Sequence, residues 1–382
     1  MHDCLIIGGG VIGLSLAYEL ASHRLRVLVL DRGQPGHEAS WAGAGILPPG
    51  NRATAANAYD QLVGLSHELH PIWAQALSEE TGIDNGFRRT GSIHVARDAD
   101  QAALLREAAQ LWRNGGLAVE ELSNKELAAR EPALADSQVL SQVRAAALLP
   151  DEAQVRNPRH LKALLVACRQ RGVAVEANVA VEGFQVRAGR VEAIETQSGT
   201  RTAGAICLCG GAWTGHLGAR LGAPLPMVPV RGQIVLLAAA SPPLRHILNE
   251  GRRYFVPRPD GRVLIGATEE KVGFDSRATA DGVAGLLDFG LGLVPALRAA
   301  TVERAWAGLR PGTPDGLPYL GRLGELENAF VAAGHFRGGL HQSPATAQLM
   351  SQVIRGQQPE IELFDFRPHR HAGHEHAHER LA

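Results

Sequence analysis

The chain has 382 residues, 45% of them hydrophobic and 20% charged, with 38 basic against 39 acidic side chains. At about 150 residues per domain this length suggests two or three domains. The composition is that of a globular protein and excludes disorder, collagen or coiled coil for the chain as a whole, while the balanced charge gives no case for nucleic acid or an anionic membrane as a partner.

Lys125, Lys162 and Lys271 are the only lysines, so nearly all the basic residues are arginines, whose planar forks suit carboxylates. Cys4, Cys168, Cys207 and Cys209 are too few and too scattered for a disulfide framework and point to a reducing cytoplasm. Cys207-x-Cys209 lies in an apolar run with no second His or Cys pair, so it reads as buried packing, and no metal site is expected. No apolar run reaches the roughly 18 residues of a membrane span. The first apolar run lacks a preceding basic region and enters a glycine motif directly, so no secretory signal is expected.

In chain order, residues 3–7 read as a buried strand, Gly8 to Gly13 as a glycine turn, and Val11 to Ser22 as a helix with Ile12, Leu16 and Leu20 at helical spacing. Arg26 to Leu30 is a second buried strand, ending at Asp31. Together they form a strand–helix–strand unit, the crossover a parallel pair requires. No element is assigned between residues 50 and 90. Gly91–Ala96 is a short strand, and Asp98–Asn114 an amphipathic helix. Ser123 with Glu126 three residues on forms a capping box. Asn157-Pro158 opens a helix that runs to about Arg171. Strands follow over 173–176, 179–186, 190–196 and 203–209, the last ending in Gly210-Gly211.

Val228–Ala239 reads as a long strand, and Tyr254–Pro257 and Arg262–Ile265 flank the turn Pro259-Asp260-Gly261. A helix near 281–293, a strand near 301–307, a loop from Arg310 to Gly316, a strand over 328–332 and a helix over 343–354 complete the pattern. Residues 369–382 hold five of the 16 histidines and read as a disordered end with no catalytic task. The order of elements implies a mixed α/β (α+β) chain of two domains, each discontinuous in sequence.

Gly8-x-Gly10-x-x-Gly13 follows a strand and opens a helix, the setting in which the motif binds a dinucleotide. Gly8 permits the tight turn, Gly10 admits a pyrophosphate, and Gly13 lets helix and strand pack closely. The helix N-terminus offers free N–H groups and partial positive charge. Asp31 stands at the end of the next strand, where it can accept from ribose hydroxyls. NAD and FAD share this fingerprint, and it does not separate them. Glu38 to Ile46 is small and glycine-rich, suited to backbone contact with a flat ring.

Seven segments carry a wider resemblance: Gly8–Gly13, Ala39–Ile46, Cys209-Gly-Gly-Ala-Trp213, Tyr254-Phe-Val-Pro-Arg258, Gly266-Ala-Thr268, Trp306-Ala-Gly-Leu-Arg-Pro-Gly-Thr313 and Ala333-Gly-His-Phe-Arg-Gly-Gly339. In this order the chain, up to about Phe366, resembles the D-amino-acid oxidase-type FAD-dependent oxidoreductases, most of all their glycine oxidase branch of bacterial thiamine synthesis. The resemblance implies a Rossmann-like FAD-binding domain from 1–85, 145–220 and 310–366. A substrate domain from 86–144 and 221–309 would roof the flavin with a large antiparallel sheet, leaving 367–382 as a His-rich tail. By position, Gly8, Gly10, Val11, Ile12 and Gly13 would meet the pyrophosphate, joined by Ala39 and Ser40, and Asp31 and Arg32 the adenosine ribose. Val181 would offer its backbone to adenine. Ala44, Gly45 and Ile46 would meet the isoalloxazine ring, with Gly211 in the same cofactor set. His335, Phe336, Arg337, Gly338, Gly339, Leu340 and His341 would wrap the flavin's pyrimidine end, where the following helix would stabilise negative charge on the reduced ring.

The chain also departs from the family. No cysteine lies near the C-terminal flavin loop, so the FAD is expected to be non-covalent. Ala42 stands where other relatives use a histidine, and Glu269 and Ile46 where the branch carries methionines, which alters the polarity of the pocket. The implied chemistry is hydride loss from the Cα of an α-amino acid to FAD. Arg310 is the candidate carboxylate fork, Tyr254 a second donor to the same group, and the backbone carbonyl of Arg337 the acceptor of the amine. Glu269 is expected near Arg310 as an ion pair. The products would be an imine, then a 2-oxo acid and ammonia, with oxygen as electron acceptor and hydrogen peroxide released. The expected partners are a small amino acid, oxygen, thiazole synthase and a second copy of the chain, with neither nucleic acid nor membrane. The alternatives are a D-amino-acid or N-methyl-amino-acid dehydrogenase of the same fold that hands electrons to a carrier, and a non-catalytic flavin-bound partner in thiazole synthesis.

Overall fold

A computed structural model of the chain describes residues 2–371. Two large sheets organise it. The first has six strands in the spatial order Tyr319–Arg322, Ala329–Ala333, Ala203–Leu208, His2–Ile7, Val27–Leu30, Ala174–Glu176. All are parallel except Tyr319–Arg322. Parallel strands need cover on both faces. On one face the helices Val11–Ser22, Asn157–Gln170 and Gly339–Ile354 supply it around Leu14, Leu164 and Leu349. On the other, Leu5, Leu28 and Ile206 pack against Ile194, from a small antiparallel sheet.

The second sheet has eight strands in the order Thr301–Gly312, Val228–Ala238, Arg262–Gly266, Arg253–Pro257, Ile247–Glu250, Ser92–Ala96, Ala145–Leu149, Glu120–Glu121. It is antiparallel except where Ile247–Glu250 runs parallel to Ser92–Ala96. Its outer face packs Phe255, Ile265 and Val235 against Leu286, Phe289 and Leu293 of the helix Ala280–Leu293. Its inner face roofs a cleft. Register sets one transverse row on that face: Trp306 opposite Ile234, Ile234 opposite Gly266, Gly266 opposite Tyr254, Tyr254 opposite Asn249, Asn249 opposite His94.

Four expectations need correction. The boundary at 145 falls wrongly, because Ala145–Leu149 pairs with Ser92–Ala96 and belongs to the roof sheet. The boundary at 310, and the loop expected there, fall inside the strand Thr301–Gly312. Pro311 is tolerated because this strand forms the sheet edge, where a missing N–H costs no ladder bond. The last helix begins at Gly339, four residues before the expected Ser343. Pro344 leaves the Leu340 carbonyl without its helical donor, and the Ser343 hydroxyl donates to that carbonyl at 2.9 Å instead. The tail does not start at 367: Pro368–His371 forms a short helical turn, and Arg370 donates to Asp315 at 2.7 and 3.0 Å. Residues 372–382 lie outside the described residues. A 24-residue helix, Ala58–Thr81, fills the unassigned stretch and packs on the last helix, with His70 Nε2 2.8 Å from the His341 carbonyl.

Candidate active site

A cleft of about 860 Å³ runs between the two sheets. One end is built by the strand–helix–strand unit. Gly8 has φ +113°, and a Cβ there would stand 2.3 Å from the Cys209 carbonyl oxygen. A Cβ on Gly13 would stand 1.9 Å from the Gly8 carbonyl oxygen, so only glycine lets the first helix lie this close. Gly13 therefore works through packing; it is not among the residues lining the cleft, whereas Gly8, Gly10, Val11 and Ile12 are. The Asp31 carboxylate accepts from the N–H groups of Gly9 at 2.7 Å and Gly33 at 2.8 Å, so it ties the glycine turn together while it walls the cleft. The Ser40 hydroxyl accepts from the Val11 N–H at 2.9 Å. The Arg32 guanidinium lies 3.5 Å over the Trp213 ring and 3.0 Å from Glu38. Val181 lines the same end, but its carbonyl already accepts from Arg220 at 2.8 Å.

The small-residue segment forms the middle of the cleft. Gly45 has φ +82°, and a Cβ there would lie 2.0 Å from the Val155 carbonyl oxygen. Asn157 donates to the Ser40 carbonyl at 2.8 Å, and Trp306 Nε1 to the Ala42 carbonyl at 3.0 Å. Arg258 is buried, has no carboxylate partner among the described residues, and donates to Ala44 at 2.8 Å, Val155 at 3.0 Å and Gln154 at 2.6 Å. Burial pulls its pKa down to about 10. Sequence reasoning gave Arg258 no role and read Asn157 as a helix cap alone. The signal for Arg258 was its place in the segment Tyr254–Arg258.

Arg310 and Tyr254 project from the roof into the cleft. Arg310 Nη1 donates to the Thr268 carbonyl at 3.0 Å, and among the described residues no carboxylate lies within salt-bridge distance of it. Burial lowers its pKa, opposed by the neighbouring Tyr254; burial raises that of Tyr254, opposed by Arg310 and Arg337. Glycines make room for both side chains. A Cβ on Gly232 would stand 2.2 Å from Arg310 Nη2, and one on Gly266 2.5 Å from the Tyr254 ring. Gly232 was not singled out from sequence, because it sits mid-strand, where glycine carries no turn signal, and Gly266, the last residue of its strand, entered only as part of the segment Gly266-Ala-Thr268. Glu269 does not pair with Arg310. Its carboxylate stands at the rim and holds Arg337, with Arg252 at 3.2 Å. Burial alone would raise its pKa, but Arg337 and Arg252 hold it below the usual range.

The segment His335–His341 closes the cleft. Phe336 takes φ +47° and donates its N–H to the Pro311 carbonyl at 2.9 Å. His335 lies 3.0 Å from the Thr346 hydroxyl, and burial pushes its pKa down to about 3. The last helix opens at Gly338 with no side-chain cap, and the first helix opens likewise at Gly10, so both present N–H groups to the cleft. Asn157 Oδ1, His341 Nε2 and Gln342 Oε1 are buried with no hydrogen-bond partner among the described residues, and all three residues line the cleft. A long cleft with two open helix N-termini, close-approach glycines and unpaired polar atoms fits a dinucleotide.

The family described as DAO, FAD dependent oxidoreductase, matches residues 3–353. The chain belongs to this family. Among DAO proteins it is similar to the glycine oxidase of Pseudomonas putida, 36% identical over 95% of this chain and 97% of that protein. The crystal structure of glycine oxidase from Geobacillus kaustophilus superposes with a TM-score of 0.92 at 35% identity, covering 97% of this chain and 99% of that one. The bifunctional protein ThiO/ThiG of Synechocystis sp. is 33% identical over 96% of this chain, which spans 54% of that longer protein. As a DAO-family FAD-dependent oxidoreductase the chain uses FAD, and the cleft's donors and unpaired atoms suit it. No described helix is long and apolar enough to cross a membrane.

Proposed function

We propose that the chain catalyses oxidative deamination of glycine and small D-amino acids to a 2-oxo acid, ammonia and hydrogen peroxide through an imine, and of sarcosine likewise, with methylamine released in place of ammonia. FAD, held non-covalently, would supply the hydride acceptor, with oxygen as the final electron acceptor. The observation that carries this reading is Arg310: a guanidinium fork in a roofed cleft, beside Tyr254, with no carboxylate pairing it among the described residues. The two glycine oxidases, each about a third identical over nearly the whole chain, support the amino-acid class.

Arg310 pairs with the substrate carboxylate and fixes its orientation. Tyr254 donates to the same carboxylate and covers it from water. The Arg337 carbonyl accepts from the substrate amine, and Ile46 bounds the space left for a side chain. The roof excludes water, which strengthens the charged contacts. The ThiO/ThiG relative supports supply of thiazole formation, with thiazole synthase as the consuming partner, and the buried free cysteines suit the cytoplasm. Self-association into a homo-oligomer belongs to the same proposal.

The test is anaerobic reduction of the purified flavoprotein by glycine, sarcosine and D-amino acids, followed by admission of air. Reduction by these amines and rapid reoxidation are expected. Reduction followed by slow reoxidation would make the chain a dehydrogenase instead. In Arg310→Ala, KM rises about 10- to 100-fold, the worth of a charged hydrogen bond, while FAD stays bound. Unchanged kinetics would remove Arg310 from the site.

A further inference from the structure

The roof row that carries Tyr254 does not end there. Asn249 stands directly opposite Tyr254, and His94 directly opposite Asn249, so the three share one face. All three line the cleft. His94 Nε2 lies 3.4 Å from Asn249 Nδ2 and 3.2 Å from the Ser92 hydroxyl. Ser92 in turn donates to Glu152 Oε2 at 2.9 Å. Glu152 lines the cleft and is only 5% exposed, and among the described residues its Oε1 has no hydrogen-bond partner and no cation pairs with it. The cleft is lined as well by Trp112, which packs on His94 at 4.9 Å, and by Leu117, Leu149 and Pro48. Tyr254 apart, none of these residues has a task in the proposed deamination.

A buried carboxyl with no cation is costly to ionise unless a ligand brings one. Apolar walls that lead to such a carboxyl suit an aliphatic stem ending in an ammonium or guanidinium. Distance decides which amine. Strands lie about 4.8 Å apart, so His94 stands roughly 10 Å from Tyr254, and Glu152 is held by Ser92 on the same strand as His94. The α-amine of an amino acid anchored on Arg310 is one carbon from its carboxylate and does not reach. The terminal amine of a lysine-length side chain lies six bonds from the carboxylate carbon and extends along the row toward Glu152.

We infer that Glu152, held by Ser92 and backed by His94 and Asn249, forms a distal subsite for the cationic end of a basic D-amino-acid side chain. The inference rests on the amino-acid oxidase reading, with Arg310 as the carboxylate anchor. It extends the substrate class from glycine to D-lysine-like amino acids. Acidic side chains are excluded, because a second carboxylate would meet Glu152.

The test compares two ligands that lack an α-amine: 6-aminohexanoate and hexanoate. Each is titrated into the FAD-loaded wild-type chain while the flavin spectrum is followed. The expected result is at least tenfold tighter binding of 6-aminohexanoate, falling to a ratio near one in Glu152→Gln, which keeps a partner for Ser92. In parallel, kcat/KM for D-lysine exceeds that for D-norleucine at least tenfold, and the same variant removes the preference. The wild-type comparison depends on no variant folding. Equal dissociation constants for the two ligands overturn the subsite. If hexanoate still binds and Arg310→Ala abolishes that binding, the anchor survives such a failure. If neither ligand binds, the anchor and the subsite both fall.

Discussion

Burial sets the protonation of single side chains around the cleft. It pushes His94 and His70 down to about 4 and His335 and His160 to about 3, so these rings are neutral at pH 7. Glu152 moves the other way: burial raises it to about 7, opposed only by Ser92. A carboxyl whose folded pKa is raised holds its proton more tightly when folded. Its contribution to stability is therefore complete below about 4.5 and is lost as pH rises through about 7. The histidines have the opposite sign, with stability present above their ordinary value and lost as pH falls toward 4. The two effects overlap between pH 4.5 and 6.5, so a variant is needed to isolate Glu152. Relative to Glu152→Gln, the wild-type chain should lose about 3 kcal/mol between pH 5 and pH 8, measured by urea unfolding. A pH-independent difference would show that Glu152 is not desolvated.

Glu269 supports a second prediction at this scale. It compensates Arg337 and Arg252 and also lies close enough to Arg310 to act on its charge. Glu269→Gln should make the mouth more cationic and lower the KM for glycine. The group is about one-third exposed, so the effect is the few-fold expected of a screened pair. It should shrink further at high salt. A raised KM would show instead that the Glu269 clasp is needed to hold the Arg337 loop.

At the scale of elements, the strands Val228–Ala238 and Thr301–Gly312 make the anchor possible together. Arg310 reaches into the cleft over Gly232, and a methyl group there would meet the guanidinium at 2.2 Å. Gly232→Ala should leave the strand paired and FAD bound while displacing Arg310, with KM for glycine rising at least tenfold. Gly285→Ala, in the helix Ala280–Leu293 with nothing within 4 Å, serves as control and should stabilise the chain by up to about 1 kcal/mol. An unchanged KM in Gly232→Ala would mean that the fork does not need that space. The same two strands show where sequence reasoning stopped. The first strand–helix–strand unit was legible because its buried strands and helical spacing are unmixed, and Val11–Ser22 ends where expected. Pro311-Gly312 reads as a breaker, so the strand was cut before Arg310, although a sheet edge tolerates both residues. Ala58–Thr81 was missed because Pro71 and many polar residues break up its apolar stripe.

For the whole molecule, the cleft gathers residues from every part of the chain. Asp31, Ser40, Asn157, Tyr254, Arg310 and Phe336 become neighbours of one space only through the fold. The candidate site was legible from sequence because several motifs occur in a fixed order, and the seven segments brought the cleft's main walls with them. What it left out was relational. Gly232 and Gly266 matter for what they avoid, Glu269 for choosing Arg337 over Arg310, and Glu152 for the missing cation. None of these follows from residue type or spacing.

The end of the described chain joins this whole chiefly through Arg370, with His371 Nε2 3.3 Å from the same Asp315 carboxylate. Arg370 is nearly buried and donates to both oxygens of Asp315, to the Leu317 carbonyl at 2.7 Å and to the Pro318 carbonyl at 3.2 Å, with its guanidinium 4.2 Å from the Tyr319 ring. Asp315 belongs to the loop that follows the Arg310 strand, where it also accepts from the Leu317 N–H at 3.1 Å. Burial would raise the Asp315 pKa, but Arg370 and the Leu317 N–H hold it well below the usual range. Truncation after His371 keeps every one of these contacts, whereas truncation after Phe366 removes the guanidinium and leaves a partly buried carboxylate without its cation. The shorter chain should be less stable by about 2 kcal/mol, the scale of a charged hydrogen bond to a half-covered group. Its thermal midpoint should fall by a few degrees relative to the longer truncation. Asp315→Asn in the longer truncation should reproduce most of the loss. Equal midpoints for the two truncated chains would show that Arg370 rests on the sheet without holding it.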